Sequence, residues 1–212
     1  MIYLRSDQPF PDPSIASSEG LLAIGGDLST KRLLDAYSSG IFPWYNGGQP
    51  ILWWSPDPRM ILFPEKVKVS KTMRKVLRDN TFQITYNTCF LDVILKCKRI
   101  KREGQNDTWI TNDMVAAYVK LHEDGIAQSV EVWQDGVLVG GLYGVNLKDQ
   151  RVFCGESMFA EVSNASKVAL ISLSRKLEQE NYKFIDCQVY TDHLSSMGAL
   201  EIPRTEFLDL LR

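Results

Sequence analysis

Asp186 and Gln188 stand two apart in the run KFIDCQV. On a strand, residues two apart share a face, so the carboxylate and the amide leave the sheet together. A carboxylate that holds the amide NH2 leaves the amide carbonyl oxygen free to accept, which suits the uptake of a proton. The more ordinary use of an Asp near a strand end is to cap or to pair. Cys187, between them, points into the core by the same parity, has no base at useful spacing, and reads as packing rather than as a nucleophile. A second chemistry is stacking. Trp44, Trp53 and Trp54, three of the five tryptophans, fall among Pro43, Pro50, Pro56 and Pro58. Proline fixes φ and lacks a donor, so residues 20–64 are neither one long helix nor a central strand. They read as a rigid aromatic platform suited to a flat ligand such as a nucleobase. A third is charge: Lys71, Arg74, Lys75 and Arg78 lie at i, i+3, i+4 and i+7, one face of a helix with no interleaved acid. Such a face is usually only solvated, but in a chain of net charge −2 it is a good track for RNA phosphates.

These groups need elements to hold them. A helix is expected over 29–39, capped by Ser29 or Asp27, with Leu33, Leu34 and Tyr37 inward and Gly40 as its stop. A short strand over 60–63 and the basic helix over 70–78 follow, the latter burying Met73, Val76 and Leu77. Residues 82–86 alternate as a strand. Helices are expected over 88–97 and 111–122. The period then switches to two: strands over 127–133 and 137–145 flank the hairpin signal Asp135-Gly136, and a third covers 151–156. A helix over 164–179 and a strand over 183–189 complete the order. Three antiparallel strands, a helix and a further strand imply an α+β fold with a mixed, mostly antiparallel sheet, similar to the GNAT-type acyltransferase core.

The motifs LLAIGGDLS, GIFPW, PILWWSPDPR, TWI, AYVKLH, SVEVW, VGGLYGV, FCGESMF, ASKVAL, IDCQ and GALEIPR occur in order from residue 20 to 204. Together they resemble the leucyl/phenylalanyl-tRNA–protein transferase family. The resemblance implies an aminoacyltransferase that moves Leu or Phe from charged tRNA to the N-terminal amine of proteins beginning with Arg or Lys. In bacteria this marks the acceptor for the N-degron pathway. It also implies a small N-terminal domain over 1–57 packed on a GNAT-like catalytic domain over 58–212. It makes Asp186 and Gln188 the proton relay, and places Trp44 and Trp109 on the terminal adenosine with Tyr118 near it. Glu156 is expected at a strand end near the site, touching ribose or the acceptor amine, or else capping the following turn. Leu142, Phe153, Leu170, Leu173 and Ile185 match positions of the side-chain pocket. Relatives more often carry Met at 142, and Phe is found at 173, so the Leu-versus-Phe preference is open. Trp53, Trp54 and Trp133 are assigned to packing, the first two between the domains. His193 is within reach of the site or starts a helix, and His122 is structural. A further basic cluster, Lys96, Lys98, Arg99, Lys101 and Arg102, departs from the family composition.

The chain has 212 residues, 44% hydrophobic and 24% charged, enough for a substantial core. Cys89, Cys97, Cys154 and Cys187 form no CxxC pair and lie at no zinc spacing with the two histidines, so reduced thiols and no metal are expected. The polar, proline-rich start resembles no leader, and no apolar run approaches the ~20 residues of a membrane span. A soluble, cytoplasmic monomer without a cofactor is expected. Two other readings stay open. A CoA-dependent N-acyltransferase needs a Gly-rich pyrophosphate cradle at a helix start, whereas GESMFAEVSNAS has one glycine and two acids; tight CoA binding would favour it. A non-catalytic RNA-binding module would have no use for the Asp186–Gln188 pair.

Overall fold

Hydroxyl side chains start several of the helices. In the computed structural model, which describes residues 2–100 and 108–212, Ser29, Ser70 and Thr111 each accept the N–H three residues on, satisfying an otherwise orphan donor. The first part of the chain builds β1 (Ile2–Leu4), β2 (Leu21–Gly25), α1 (Thr30–Ser38), β3 (Phe42–Pro43) and β4 (Leu52–Trp54). The rest builds β5 (Arg59–Leu62), α2 (Lys71–Arg78), β6 (Gln83–Tyr86), α3 (Phe90–Arg99), α4 (Asn112–Glu123), β7 (Ala127–Gln134), β8 (Val137–Leu147), β9 (Val152–Ala160), α5 (Ala165–Gln179), β10 (Phe184–Gln188), α6 (Asp192–Ser196), β11 (Leu200–Ile202) and α7 (Arg204–Leu211).

A four-stranded sheet has the order β1-β2-β4-β3, and a seven-stranded sheet the order β11-β5-β10-β9-β8-β7-β6. In the large sheet every neighbouring pair is antiparallel except β9 and β10, which run parallel. The fold is therefore α+β with a mixed, mostly antiparallel sheet, as expected. One face of the large sheet packs on α5 and on Met73 of α2. The other carries α3, α4 and the first layer, where Tyr37, Trp53, Val93, Met114, Tyr118 and Tyr143 share one apolar cluster.

As expected, the aromatic segment is neither one long helix nor one strand: its prolines close or separate several short strands. Pro43 lies in β3 at a sheet edge, where a missing N–H costs nothing, while β4 and β5 are interior strands in their two sheets. β9 also runs past residue 156, to Ala160.

The parallel pairing of β9 and β10 ends at Asp186↔Cys154. There each strand carries one extra residue. Opposite β8, Tyr143 faces Ser157 and Gly144 faces Gly155, so Glu156 is the bulge of β9. Opposite β5, Asp186 faces Ile61 and Gln188 faces Met60, so Cys187 is the bulge of β10. A bulge re-aims side chains and breaks the alternation of a strand. Gly144 allows the first of them: a Cβ there would lie 2.2 Å from the Cys154 carbonyl oxygen.

Candidate active site

A cavity of about 430 Å³ opens where the bulged ends of β9 and β10 diverge, between those strands, α5 and the first layer. Leu142, Phe153, Leu170, Leu173 and Ile185 all line it, and none is more than 4% exposed. Strands β8, β9 and β10 bring in Leu142, Phe153 and Ile185, and one face of α5 brings in Leu170 and Leu173. The result is an apolar chamber of the size that holds a small ligand.

Its polar end is a hydrogen-bonded cluster around Glu156. The Gln188 side chain donates from Nε2 to Glu156 Oε1 at 2.8 Å. Tyr37 O–H donates to Oε1 at 2.7 Å and Tyr118 O–H to Oε2 at 2.9 Å, while the two phenol oxygens also lie within hydrogen-bond contact of each other. Burial raises the Glu156 carboxyl to about 7, against the donors Tyr37, Tyr118 and Gln188, which hold it down, and with the nearby Asp186 charge adding to the rise. Burial, followed by the Glu156 charge, drives both phenols well above their ordinary range, so they remain neutral donors. Counting hydrogens explains the arrangement. Two phenol hydrogens fill two of the three edges of the Glu156–Tyr37–Tyr118 triangle. The third edge is filled when Glu156 itself carries a proton. Glu156 thus sits in a strand bulge, and the turn-cap alternative does not hold.

The expected contact between the Asp186 carboxylate and the Gln188 amide is not formed. Asp186 Oδ1 accepts from Arg59 Nε at 2.8 Å and Oδ2 from Arg59 Nη2 at 2.7 Å, with both side chains buried. Oδ1 also accepts the Gln188 backbone N–H at 3.0 Å. Asp186 is 1% exposed and does not line the cavity; Gln188 does. The reason is the bulge at Cys187, with Gln188 at φ +67°. It cancels the parity from which a shared face was expected. For the same reason Cys187 lines the cavity and does not turn away from it. Its thiol is pushed far up by burial and by the Asp186 charge, which leaves it protonated and a poor nucleophile.

Trp44 and Trp109 both stand at the cavity wall. Trp54 supports the first of them: its indole N–H donates to the Trp44 carbonyl at 2.7 Å, and the ring centroids are 5.9 Å apart. Trp53 is fully buried, edge-on to Phe10 at 4.8 Å, donates to the Gly25 carbonyl, and belongs to the apolar cluster that the first layer shares with α3, α4 and the large sheet. Trp133 donates to Thr85. Tyr118 is fully buried behind Glu156 and does not line the cavity, so its phenol is committed to that carboxyl rather than to a ligand. His193 lines the cavity at the start of α6; burial and Lys167 lower its basicity. His122 stacks on Phe90 at 4.4 Å and contacts the Ala127 carbonyl, a structural place. Lys71, Arg74, Lys75 and Arg78 are all exposed on α2, which Ser70 caps. Of the further basic cluster, Lys96 pairs with Glu161 at 2.6 Å and Lys98 with Asn112; Lys101 and Arg102 lie outside the described residues.

Two residues of the site escaped the sequence reading. Tyr37 was assigned to the apolar face of its helix, yet a buried phenol needs a polar partner. Arg59 opens the run Arg-Met-Ile-Leu, and an arginine heading a fully buried strand requires an acid. Among the described residues no group of His, Cys, Asp or Glu is placed to hold a metal ion. No helix among them is long and apolar enough to cross a membrane. The four cysteines are thiols, not disulfides.

Comparison with known proteins places the chain. Residues 61–212 match the family model described as leucyl/phenylalanyl-tRNA protein transferase, and residues 26–57 match the model of that family's N-terminal domain. The chain is 60% identical to the leucyl/phenylalanyl-tRNA–protein transferase of Flavobacterium johnsoniae, covering 100% of this chain and 99% of that one. It is 56% identical to the enzyme of the same name from Christiangramia forsetii, covering both chains fully. Among solved structures it is similar to an aminoglycoside acetyltransferase from a soil metagenomic sample in complex with sisomicin. That likeness has a TM-score of 0.41 at 14% identity, over 55% of this chain and 84% of that one.

Proposed function

Because the chain belongs to the leucyl/phenylalanyl-tRNA protein transferase family, we propose that it moves leucine or phenylalanine from charged tRNA to the N-terminal α-amine of proteins beginning with Arg or Lys. The product is marked for N-degron degradation, and the enzyme acts as a cytoplasmic monomer. In this reading residues 1–57 form the small domain that presents Trp44, and residues 58–212 form the catalytic domain. One observation carries it: an apolar cavity flanked by two indoles ends at a carboxyl held near neutrality.

An aminoacyl ester is already activated, so no covalent enzyme intermediate is needed. Trp44 and Trp109 hold the terminal adenosine, at about 1–3 kcal/mol per stacked base. The leucyl or phenylalanyl side chain enters the chamber lined by Leu142, Phe153, Leu170, Leu173 and Ile185. A β-branched side chain, stiff at χ1, is excluded by shape. The acceptor amine nitrogen bonds to the ester carbon, and the carbon–oxygen bond to the ribose breaks. One proton leaves the amine and one reaches the ribose oxygen. The Gln188 NH2 is anchored on Glu156, so its carbonyl oxygen is the side that accepts from the attacking amine. Glu156 takes the proton and returns it to the leaving oxygen, work for which a group near pH 7 is suited. Exposed Lys71, Arg74, Lys75 and Arg78 engage the tRNA backbone, contacts that give affinity without reading sequence.

The test is transfer of labelled Leu or Phe from charged tRNA to a peptide starting with Arg, against one starting with Ala. Labelling of the Arg peptide alone is expected. No transfer, or equal labelling of both, would refute the proposal.

A further inference from the structure

Arg59 does not line the cavity, yet it is 1% exposed and among the largest buried side chains. Its guanidinium lies between two rings, 4.8 Å from the Phe42 centroid and 4.5 Å from that of Phe207. Its fork spends Nε and Nη2 on the two oxygens of Asp186, and Nη1 has no acceptor among the described residues. A bidentate Arg–carboxylate pair sets direction as well as charge. What it directs is visible one step on: Asp186 Oδ1, fixed by the fork, accepts the backbone N–H of Gln188 at 3.0 Å. Gln188 has φ +67°, a conformation that non-glycine residues seldom hold without support. From that conformation its amide reaches Glu156. On its other side Arg59 packs against Phe42, two residues before Trp44.

We propose that Arg59 is a positioning residue of the transfer site: through Asp186 it holds the Gln188 main chain in its left-handed turn, and so aims the Gln188 amide at Glu156 and the acceptor amine. This rests on the transfer reaction proposed above. It makes Asp186 a splint and not a proton carrier, since both its oxygens are occupied and it lies outside the cavity.

Three variants test it: Arg59→Lys, Arg59→Met/Asp186→Asn and Arg59→Met/Asp186→Ala. Lysine keeps the charge without the planar fork. The two double variants leave no buried charge at this pair, which removes the penalty of an unpaired ion, and they differ in whether residue 186 can still accept the Gln188 N–H. Each is measured for single-turnover kcat, charged-tRNA Kd, melting temperature and the pH–rate limb assigned to Glu156. Arg59→Lys is expected to lower kcat by about 10- to 100-fold, the scale of a 1 Å misplacement, with tRNA Kd unchanged. Its limb should move to higher pH, because Glu156 loses the Gln188 donor while Tyr37, Tyr118, Asp186 and Cys154 stay around it. The Asn double, which keeps an acceptor for the Gln188 N–H but has lost the fork that aims it, should fall about as far as Arg59→Lys, and the Ala double should fall further, beyond about 10²-fold. Wild-type kcat and limb in Arg59→Lys, equal kcat in the two doubles, or losses that follow only melting temperature would overturn the role of Arg59. A wild type that transfers while these variants match it sinks Arg59 alone; a wild type that does not transfer sinks the reaction with it.

Discussion

Replacing Glu156 by Gln separates its chemistry from its place in the fold. The amide is nearly isosteric, and the hydrogen count allows it to fit. Its NH2 donates to Tyr118, Tyr118 O–H to Tyr37, and Tyr37 O–H to the amide oxygen, which still accepts from Gln188. The variant therefore mimics the protonated acid. In the wild type the carboxyl titrates at about 7 against an ordinary 4.5. At 1.36 kcal/mol per pH unit, ionising it in the fold costs about 3 kcal/mol more than in the unfolded chain. The sign follows from the raised value: the folded state binds this proton more tightly, so wild-type stability falls as pH rises from 4.5 through 7 and stays lower above. Glu156→Gln escapes that loss. Its melting temperature should equal that of wild type near pH 4 and exceed it by roughly 6–12 °C at pH 8.5.

Activity should move the other way. Loss of a general base costs about 10²- to 10⁴-fold in kcat. The pH–rate profile discriminates further, at subsaturating Arg-led peptide and with the no-enzyme hydrolysis subtracted. The acceptor α-amine titrates at about 7.7–8.0, so the wild-type rate should fall with a log–log slope near two below pH 7. In the variant only the amine titrates and the slope should be near one. Wild-type kcat in Glu156→Gln, an unchanged slope, or a destabilised variant at pH 8.5 would each refute this account.

Tyr37→Phe removes a donor that holds Glu156 down, so the acid limb should rise above 7 and the fold lose about 1–2 kcal/mol by denaturant titration. Lys71→Ala with Arg74→Ala should raise the apparent KM for charged tRNA and reduce the slope of log K against log salt by about 1.5–2; an unchanged slope removes this face from the tRNA path. Trp44→Ala should weaken binding of charged tRNA by about 1–3 kcal/mol, read by equilibrium titration at fixed salt. Leu173→Phe narrows the chamber, and in competition between the two charged tRNAs it should shift the preference toward Leu by roughly 10-fold, the scale of a methylene-sized change in an apolar pocket.

Much of this could be read from residue order, and the failures share one cause. Helices with hydroxyl caps and clear apolar stripes, such as α1, α2 and α4, start where their caps stand, because capping and periodicity are local. The strands β7, β8 and β9 emerged from alternation in the same way. β1, β4 and β11 are three residues each and depend on partners distant in sequence, so no local pattern marks them. By burial the five chamber residues are ordinary core, so the family resemblance and not a local pattern marks them as a pocket; the divergence of β9 from β10 turns them into a wall. The relay was misread at its centre for a related reason. Alternation holds along a strand only while its register is unbroken, and both strands at the site carry a bulge whose existence is decided by β8 and β5. One extra residue at Cys187 separates Asp186 from the Gln188 side chain, and one at Glu156 brings in the acid that replaces it. The chemistry is thus written in three residue types, Glu, Asp and Gln, that are all legible, while their pairing is set by the neighbouring strands.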